Sequence, residues 1–187
     1  CVLPDEFEAG RAVAHHLADR GHTAIALLGD HDELRHVPRI SATIGRRFAG
    51  VEAGLAERGL ALAHAVVQRT WEPEDGYEAA RTLLDHGADV TAVIAANDRM
   101  AFGTYQAIQE AGLRIPRDLS VISFDDEFIA RSLRPPLTSA RLPYEEMGRR
   151  AMELVLAPTR PTGELLIEMP LQVRSSVADL TSGAGSP

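Results

Sequence analysis

Short apolar runs alternate with longer amphipathic segments from the start of this 187-residue chain to about residue 125, and this alternation restricts its fold most strongly. Three of the runs, Thr23–Leu28, Ala92–Ala96 and Ser120–Phe124, are five or six residues long and uncharged. Such runs are typical of strands buried on both faces of a parallel sheet. The segments between them have apolar residues at three- and four-residue spacing, which predicts helices. We therefore predict an α/β fold, a doubly wound parallel sheet with helices on both faces.

Capping residues and glycines set the ends of the predicted helices. The first helix starts after a capping box formed by Asp5 and Glu8 and stops near Gly21. Residues 29–40 are polar and contain a proline, which predicts a loop. Further helices are predicted at residues 41–58, 73–86, 98–111 and 144–156, and further strands at residues 64–68, 164–169 and 171–174.

Charge and cysteine content limit the partners and the compartment of this chain. The formal net charge of −8 argues against a broad surface that binds nucleic-acid phosphates. The single cysteine, Cys1, excludes an internal disulfide and a cysteine metal site, which fits a reducing compartment such as the cytoplasm. The longest apolar runs are far too short to span a bilayer, so we expect no membrane association.

Polar and aromatic residues follow the predicted strands where ligands bind in open parallel sheets, beyond the carboxyl ends. Asn97 follows one strand, Asp125 follows another and Trp71 follows a third, while Arg47 lies near the start of the helix after the long loop. An indole, an amide, a carboxylate and a guanidinium suit a polyol or a heterocycle. These residues form the predicted binding site.

Each of these residues also has an ordinary structural interpretation. Asn97 stands at a preferred helix N-cap position, and Asp125 and Asp126, ahead of "EFIARSL", are also candidates for a helix cap. Trp71 alone is more often a core residue, and Arg47 alone is more often a solvated charge. What favours a site is that all of them fall on one predicted edge of the sheet. No nucleophile elbow or phosphate-binding loop is present, and "HDELRH" (31–36) fits a solvated loop better than a zinc site, so we predict no catalytic residue, metal or cofactor.

Ordered motifs throughout the chain resemble one known family. They include "EAGRAVAHHLADRGHTAIALLG", "RRFAGVEAGLAERGL", "TAVIAANDRMAFGTYQAIQEAGLRIPRDLSVISFDD" and "RPPLTSARLPYEEMGRRAMELVL". Together they resemble the effector-binding core of the LacI/GalR family of bacterial transcription regulators, over nearly the whole chain. The resemblance implies a periplasmic-binding-protein-like fold of two α/β lobes, with an effector in the cleft between them and a helix-turn-helix headpiece before them.

The resemblance also implies a division of the chain. We expect residues 1–134 and 158–178 to form the C-terminal lobe, and the strand and helix of residues 135–157 to belong to an N-terminal lobe that is otherwise absent from this sequence. Residues 179–187 are rich in small residues and are predicted to be a disordered tail.

The family's effector contacts match Arg47, Trp71, Asn97 and Asp125 by resemblance, and Thr43 stands where some members place a further polar contact. Asn97 is then expected both to cap its helix and to face the cleft. Ser123 stands where the family usually has a glycine. Its side chain is expected to leave less space for a close approach to the backbone beside Asp125.

The implied function is an effector sensor that changes operator binding by a headpiece outside this chain, through a population shift in a homodimer. We expect the Tyr144, Met147, Ala151 and Leu154 face of helix 144–156 to pack on a neighbouring chain. Trp71 with polar neighbours favours a sugar as effector, although a purine would also stack on it. The alternative function is that of a periplasmic sugar-binding transport receptor, which shares the fold.

Overall fold

The structure, a computed structural model, describes residues 1–30, 42–68, 70–157 and 162–181, and of residues 42 and 43 it describes the backbone alone. The helices are α1 (Glu6–Ala18), α2 (Ala42–Ala56), α3 (Pro73–Asp85), α4 (Asp98–Glu110), α5 (Phe128–Ser132) and α6 (Tyr144–Leu156). The strands are β1 (Val2–Pro4), β2 (Ile25–Asp30), β3 (His64–Val67), β4 (Ala92–Ala95), β5 (Ser120–Asp125), β6 (Thr138–Arg141), β7 (Leu165–Ile167) and β8 (Leu171–Gln172).

Six of these strands form one sheet in the order β3-β2-β4-β5-β6-β8. The first five run parallel, and only the short β8 pairs antiparallel, with β6. Every residue of β4 is buried, as is every residue of β2 except Asp30, which explains their continuous apolar sequences. The predicted α/β class with a doubly wound, mainly parallel sheet is confirmed.

Glycines allow the helices to pack in close pairs, α1 against α2 and α3 against α4. A Cβ added at Gly10 would stand 2.1 Å from the carbonyl oxygen of Arg47, and one at Gly103 would stand 1.8 Å from that of Pro73. Only a residue without a side chain fits at these two crossings. The backbone of Arg47 is therefore held directly against α1.

The structure corrects the predicted division of the chain in two places. Strand β6, assigned to the other lobe with the rest of residues 135–157, lies in the main sheet, because its backbone pairs with β5 from Ile122 to Asp125. Strands β1 and β7, assigned to the C-terminal lobe, instead form a separate parallel two-stranded sheet. Helix α6 contacts β1, and none of its residues is buried in this chain.

Two further predictions fall near the limits of the described residues. The predicted loop at residues 29–40 is wrong at its first two residues, because β2 continues to Asp30, and residues 31–41 lie outside the described part. Of the predicted tail, Leu180 donates its N–H to the carbonyl oxygen of Arg20 (2.9 Å), so residues 179–181 are fixed to the end of α1. Within the described ranges, no helix combines the length and the apolar character needed to cross a membrane.

Candidate functional site

The carboxyl ends of β2, β4 and β5 meet at one edge of the main sheet. Because the strands are parallel and in register, Gly29, Ala96 and Asp125 follow one another across this edge, and the N–H of Ala96 donates to Leu28 (3.0 Å). We call this edge the rim. Arg47 and Trp71 contact the rim from α2 and from the segment after β3.

Arg47 lies at the centre of the rim and is only 4% exposed. Its Nε and Nη2 donate to the two carboxylate oxygens of Glu6 (2.6 and 2.8 Å). Nη1 donates to the carbonyl oxygen of Ala96 (2.5 Å), and Nη2 also donates to Oδ1 of Asp125 (3.1 Å). Four of the five guanidinium N–H groups are thus used within the protein. The sequence-based interpretation of Arg47 as a solvated charge is wrong.

The surroundings of Arg47 keep it charged. Burial alone would lower the pKa of its guanidinium, but the carboxylates of Glu6 and Asp125 outweigh this effect and raise the pKa. The guanidinium also lies 4.5 Å from the ring centre of Phe124 and 5.9 Å from that of Trp71, within the range of cation–π attraction.

Trp71 is anchored at the rim and is neither fully buried nor fully exposed. Its Nε1 donates to the carbonyl oxygen of Gly29 (2.8 Å), and its ring meets Phe48 edge-on at 5.9 Å. Gly29 has a positive φ of 94°, and a Cβ there would stand 2.7 Å from the Cβ of Ala96 and 3.1 Å from Nε1 of Trp71. The glycine therefore allows the indole to reach the strand end.

Backbone strain is concentrated at the rim. Among the described residues, the non-glycine residues with positive φ are Trp71 (60°), Asp125 (100°) and Asp126 (52°). Such conformations are costly for residues with side chains and cluster at binding sites, where the surrounding structure holds them in place. Their location supports a functional assignment of this edge.

Asn97 caps α4, because its Oδ1 accepts a hydrogen bond from the N–H of Met100 (2.9 Å). The capping interpretation of Asn97 is therefore confirmed. The cap uses the oxygen alone, so the amide NH₂ is the group with which Asn97 would donate to a ligand. The side chain is partly buried beside Ala96, the residue whose carbonyl binds Arg47.

Asp98, beside Asn97, is buried and connects several segments of the chain through hydrogen bonds. Its carboxylate accepts hydrogen bonds from the hydroxyls of Ser123 and Ser139 and from the N–H of Glu127. Burial raises the pKa of Asp98 to about 6, against the lowering effect of these hydrogen bonds. The departure at Ser123 thus has a definite role, because its hydroxyl ties β5 to the start of α4.

Asp126 is structural as well. Its carboxylate pairs with Arg174 and lies 3.7 Å from Nε of Arg141, and its N–H donates to Oγ of Ser139 (3.0 Å). Asp125 is the more exposed of the two acids and faces Arg47. The pair therefore divides into one residue for the rim and one for the fold.

Two residues at the rim were not selected from the sequence. Glu6 lies in the first turn of α1, where an acidic residue is already explained by its favourable interaction with the helix dipole. Its sequence position therefore gave no sign of a role in the site. Tyr144 borders a groove of about 610 Å³ that Asp125 and Asp126 also line. Partial burial and the nearby carboxylates of Asp125 and Glu127 raise the pKa of the Tyr144 phenol.

The structure brings together Arg47, Trp71, Asn97 and Asp125, as the strand pattern predicted; that they bind an effector stays a prediction. The backbone of Thr43 lies in α2, and its side chain lies outside the described part. The "HDELRH" segment also lies outside it. In the ranges that the structure describes, no group of three or more His, Cys, Asp or Glu residues is arranged to hold a metal ion.

Comparisons with known proteins agree with this geometry. The model of the periplasmic binding protein-like domain matches residues 14–177. The HTH-type transcriptional repressor PurR of Erwinia tasmaniensis is 37% identical over 156 residues, which cover 83% of this chain and 44% of the relative. The ribose operon repressor of Haemophilus influenzae is 32% identical over 184 residues, which cover 96% and 53% respectively. The chain thus spans about half the length of these curated relatives.

Solved structures show the same fold. A ribose-bound LacI family regulator from Enterococcus faecium superposes with a TM-score of 0.81 at 27% identity, covering 96% of this chain and 66% of that one. A dimeric Lac repressor superposes with a TM-score of 0.84 at 26% identity, covering 95% and 64%.

Proposed function

We propose, since this chain belongs to the periplasmic binding protein-like family in the form found in LacI/GalR-type regulators, that its rim binds a small sugar as effector. The relatives are named transcriptional repressors, not enzymes. The observation on which the proposal rests is the convergence of Arg47, Trp71, Asn97 and Asp125 at the carboxyl ends of three neighbouring strands.

The chemistry of these groups favours a sugar ring. The indole of Trp71 offers an apolar plate for C–H groups, and the amide of Asn97 and the carboxylate of Asp125 suit hydroxyl groups. One relative is named a ribose operon repressor, and one similar structure contains ribose. These names support a pentose such as ribose as the first compound to test. A purine, which would also stack on Trp71, is the second candidate.

The regulatory part of the proposal concerns the longer protein. Binding at the rim shifts the balance between two arrangements of a dimer and so changes operator binding through a helix-turn-helix outside this chain. The similarity to a dimeric Lac repressor supports homodimerisation, and the relatives support a cytoplasmic regulator over a periplasmic transport receptor. Thr43 and the helix α6 face are included in this proposal as an effector contact and a dimer contact.

The single tryptophan gives a direct test, because with selective excitation of tryptophan the emission of the chain comes from Trp71 alone. Titration with D-ribose should change the emission saturably, and calorimetry should give the same dissociation constant. Titrations with other neutral sugars and with hypoxanthine define the class of ligand. Absence of any saturable change with all of these compounds would contradict the proposal.

A pair of variants at Asn97 separates binding from folding. Asn97→Ser keeps an N-cap oxygen but removes the amide donors, so it should weaken sugar binding about three- to tenfold while stability stays nearly constant. Asn97→Ala removes the cap as well and should also lower the unfolding free energy by about 1 kcal/mol. Unchanged sugar affinity in Asn97→Ser would exclude the amide from the site.

A further inference from the structure

Glu6 holds the guanidinium of Arg47 in a bidentate ion pair at the centre of the proposed site. Both side chains are about 5% exposed, and the two contacts measure 2.6 and 2.8 Å. Bidentate geometry matches the planar guanidinium fork, which is the group that would otherwise bind a phosphate or a carboxylate of a ligand. Glu6 therefore occupies the place of an anion inside the protein.

The side chains in direct ion-pair contact with the Arg47 guanidinium carry an excess of negative charge. Glu6 and Asp125 both contact the one cation, which gives the three side chains a net formal charge of −1. The carbonyl oxygen of Ala96 adds a further acceptor at Nη1. The next acid, Asp126, contacts two cations of its own, Arg174 and Arg141, so the negative excess is confined to the side chains that meet at the guanidinium of Arg47.

An anionic ligand would have to displace Glu6 to bind the guanidinium fork of Arg47 in the bidentate geometry that makes such pairs strong. Displacement would leave a buried carboxylate without its cation, and removing one partner of a buried ion pair is strongly unfavourable. A neutral ligand needs no such displacement, because it can accept from the remaining N–H of Arg47 and donate to Asp125. The ion pair of Glu6 with Arg47 thus weakens the binding of anionic ligands and leaves the binding of neutral ligands unaffected.

We propose that Glu6 is the residue that sets the charge class of the ligand, so that the rim admits neutral polyhydroxylated molecules and rejects their phosphorylated forms. This inference rests on the proposed function, because it concerns the ligand of the same site. It assigns to Glu6 a specificity role beyond its contribution to the fold.

Inorganic phosphate and D-ribose 5-phosphate are the probes, compared with D-ribose in buffers of constant ionic strength. The wild-type chain should show no saturable change of Trp71 emission or of melting temperature with either anion. Glu6→Gln keeps the size of the side chain and removes its charge, so it should bind both anions at least about tenfold more tightly than the wild type. Phosphate binding by the wild type with an affinity similar to that of Glu6→Gln would overturn the proposal.

Two further variants control for position and folding. Glu8→Gln removes an exposed acid of the same helix that pairs with Arg11, and it should exclude the anions as the wild type does. Glu6→Asp keeps the charge and should also exclude them; anion binding by this variant would contradict the charge argument. If circular dichroism shows that Glu6→Gln is unfolded, exclusion by both the wild type and Glu6→Asp supports the proposal, and anion binding by either overturns it.

The results separate this inference from the proposed function. Sugar binding by the wild type without a gain of phosphate binding in folded Glu6→Gln would overturn the role of Glu6 and leave the sugar site intact. Phosphate binding by Glu6→Gln alone, with no neutral sugar bound by any variant, would support the role of Glu6 and refute the sugar assignment.

Discussion

Asp98 should make the stability of this protein depend on pH in a direction unusual for an acid. Its pKa is raised from the usual 3.8 to about 6, chiefly by burial. The native state therefore favours the protonated form more than the unfolded chain does. The stabilisation from this group is fully present below about pH 4 and is lost as the pH rises through about 6.

The size of the effect follows from the shift. The gap of about two units between 3.8 and about 6 corresponds to about 3 kcal/mol, at roughly 1.4 kcal/mol per unit. Between about pH 4 and pH 7, roughly 2 to 3 kcal/mol of unfolding free energy should be lost through Asp98. Other groups titrate in the same range: burial lowers the pKa of His16 to about 4, which has the opposite effect on stability.

A comparison of the wild type with Asp98→Asn isolates the contribution of this one group. The amide does not titrate. The free-energy cost of losing the hydrogen bond from the N–H of Glu127 is therefore the same at every pH. Urea denaturation of both proteins at several pH values gives the difference in unfolding free energy. The difference should change by roughly 2 to 3 kcal/mol in favour of the variant from about pH 4 to pH 7.

Asp118→Asn is the matched control. Asp118 is an exposed acid whose pKa is lowered by its hydrogen bond from Arg114, so its small contribution has the opposite sign and is lost as the pH falls. If the difference in unfolding free energy between wild type and Asp98→Asn does not depend on pH, burial does not govern the pKa of this carboxylate. If the difference moves in favour of the wild type as the pH rises, the pKa of Asp98 is lowered in the native state, not raised.

Two other predictions concern the packing of helices and the hydrogen bonds that connect the C-terminal segment to the sheet. Gly10→Ala should destabilise the protein by about 3 kcal/mol, because its methyl group would stand 2.1 Å from the carbonyl oxygen of Arg47. Gly148→Ala lies on an exposed helix with nothing within 4 Å, and it should stabilise the protein by about 0.5–1 kcal/mol. Urea denaturation measures both changes in unfolding free energy, and equal effects would contradict the argument that α1 and α2 pack too closely at Gly10 for a side chain. Ser176→Ala should cost about 1–3 kcal/mol in the same assay, since the buried hydroxyl donates to Val121 (2.6 Å) and accepts from the N–H of Thr138 (2.8 Å), and a neutral result would mean that these groups find other partners.

Local sequence patterns were sufficient to predict the parallel strands β2 to β5 and four residues of the rim, Arg47, Trp71, Asn97 and Asp125. Fully apolar runs can only be central strands here, and parallel strands bring their following residues to one edge. The pairing of β1 with β7 was not predictable in this way, because each strand has three residues and they are joined by contacts 163 residues apart, such as that of Val2 with Leu165. No periodicity encodes such a distant pairing.

The ion pair of Arg47 was beyond sequence reasoning for a related reason. Glu6 and Arg47 are 41 residues apart on different helices, and each has an ordinary local explanation. The domain division, which followed from the family resemblance, was wrong at β6. Only the ladder with β5 shows that this segment completes the main sheet.

Two connections join the small sheet of β1 and β7 to the main sheet close to the ion pair of Arg47. Asp5, whose N–H donates to Ile167 (2.8 Å), leads directly from β1 to Glu6. Leu142 leaves β6 with its N–H on the carbonyl oxygen of Asp125 (3.1 Å). The small sheet of β1 and β7 is thus joined to the main sheet beside both acids that hold Arg47. If the proposed site binds a ligand that changes the hydrogen bonds of Arg47, we expect the preferred position of the small sheet to shift, and the coupling free energy is the same in both directions because linkage between two sites is reciprocal.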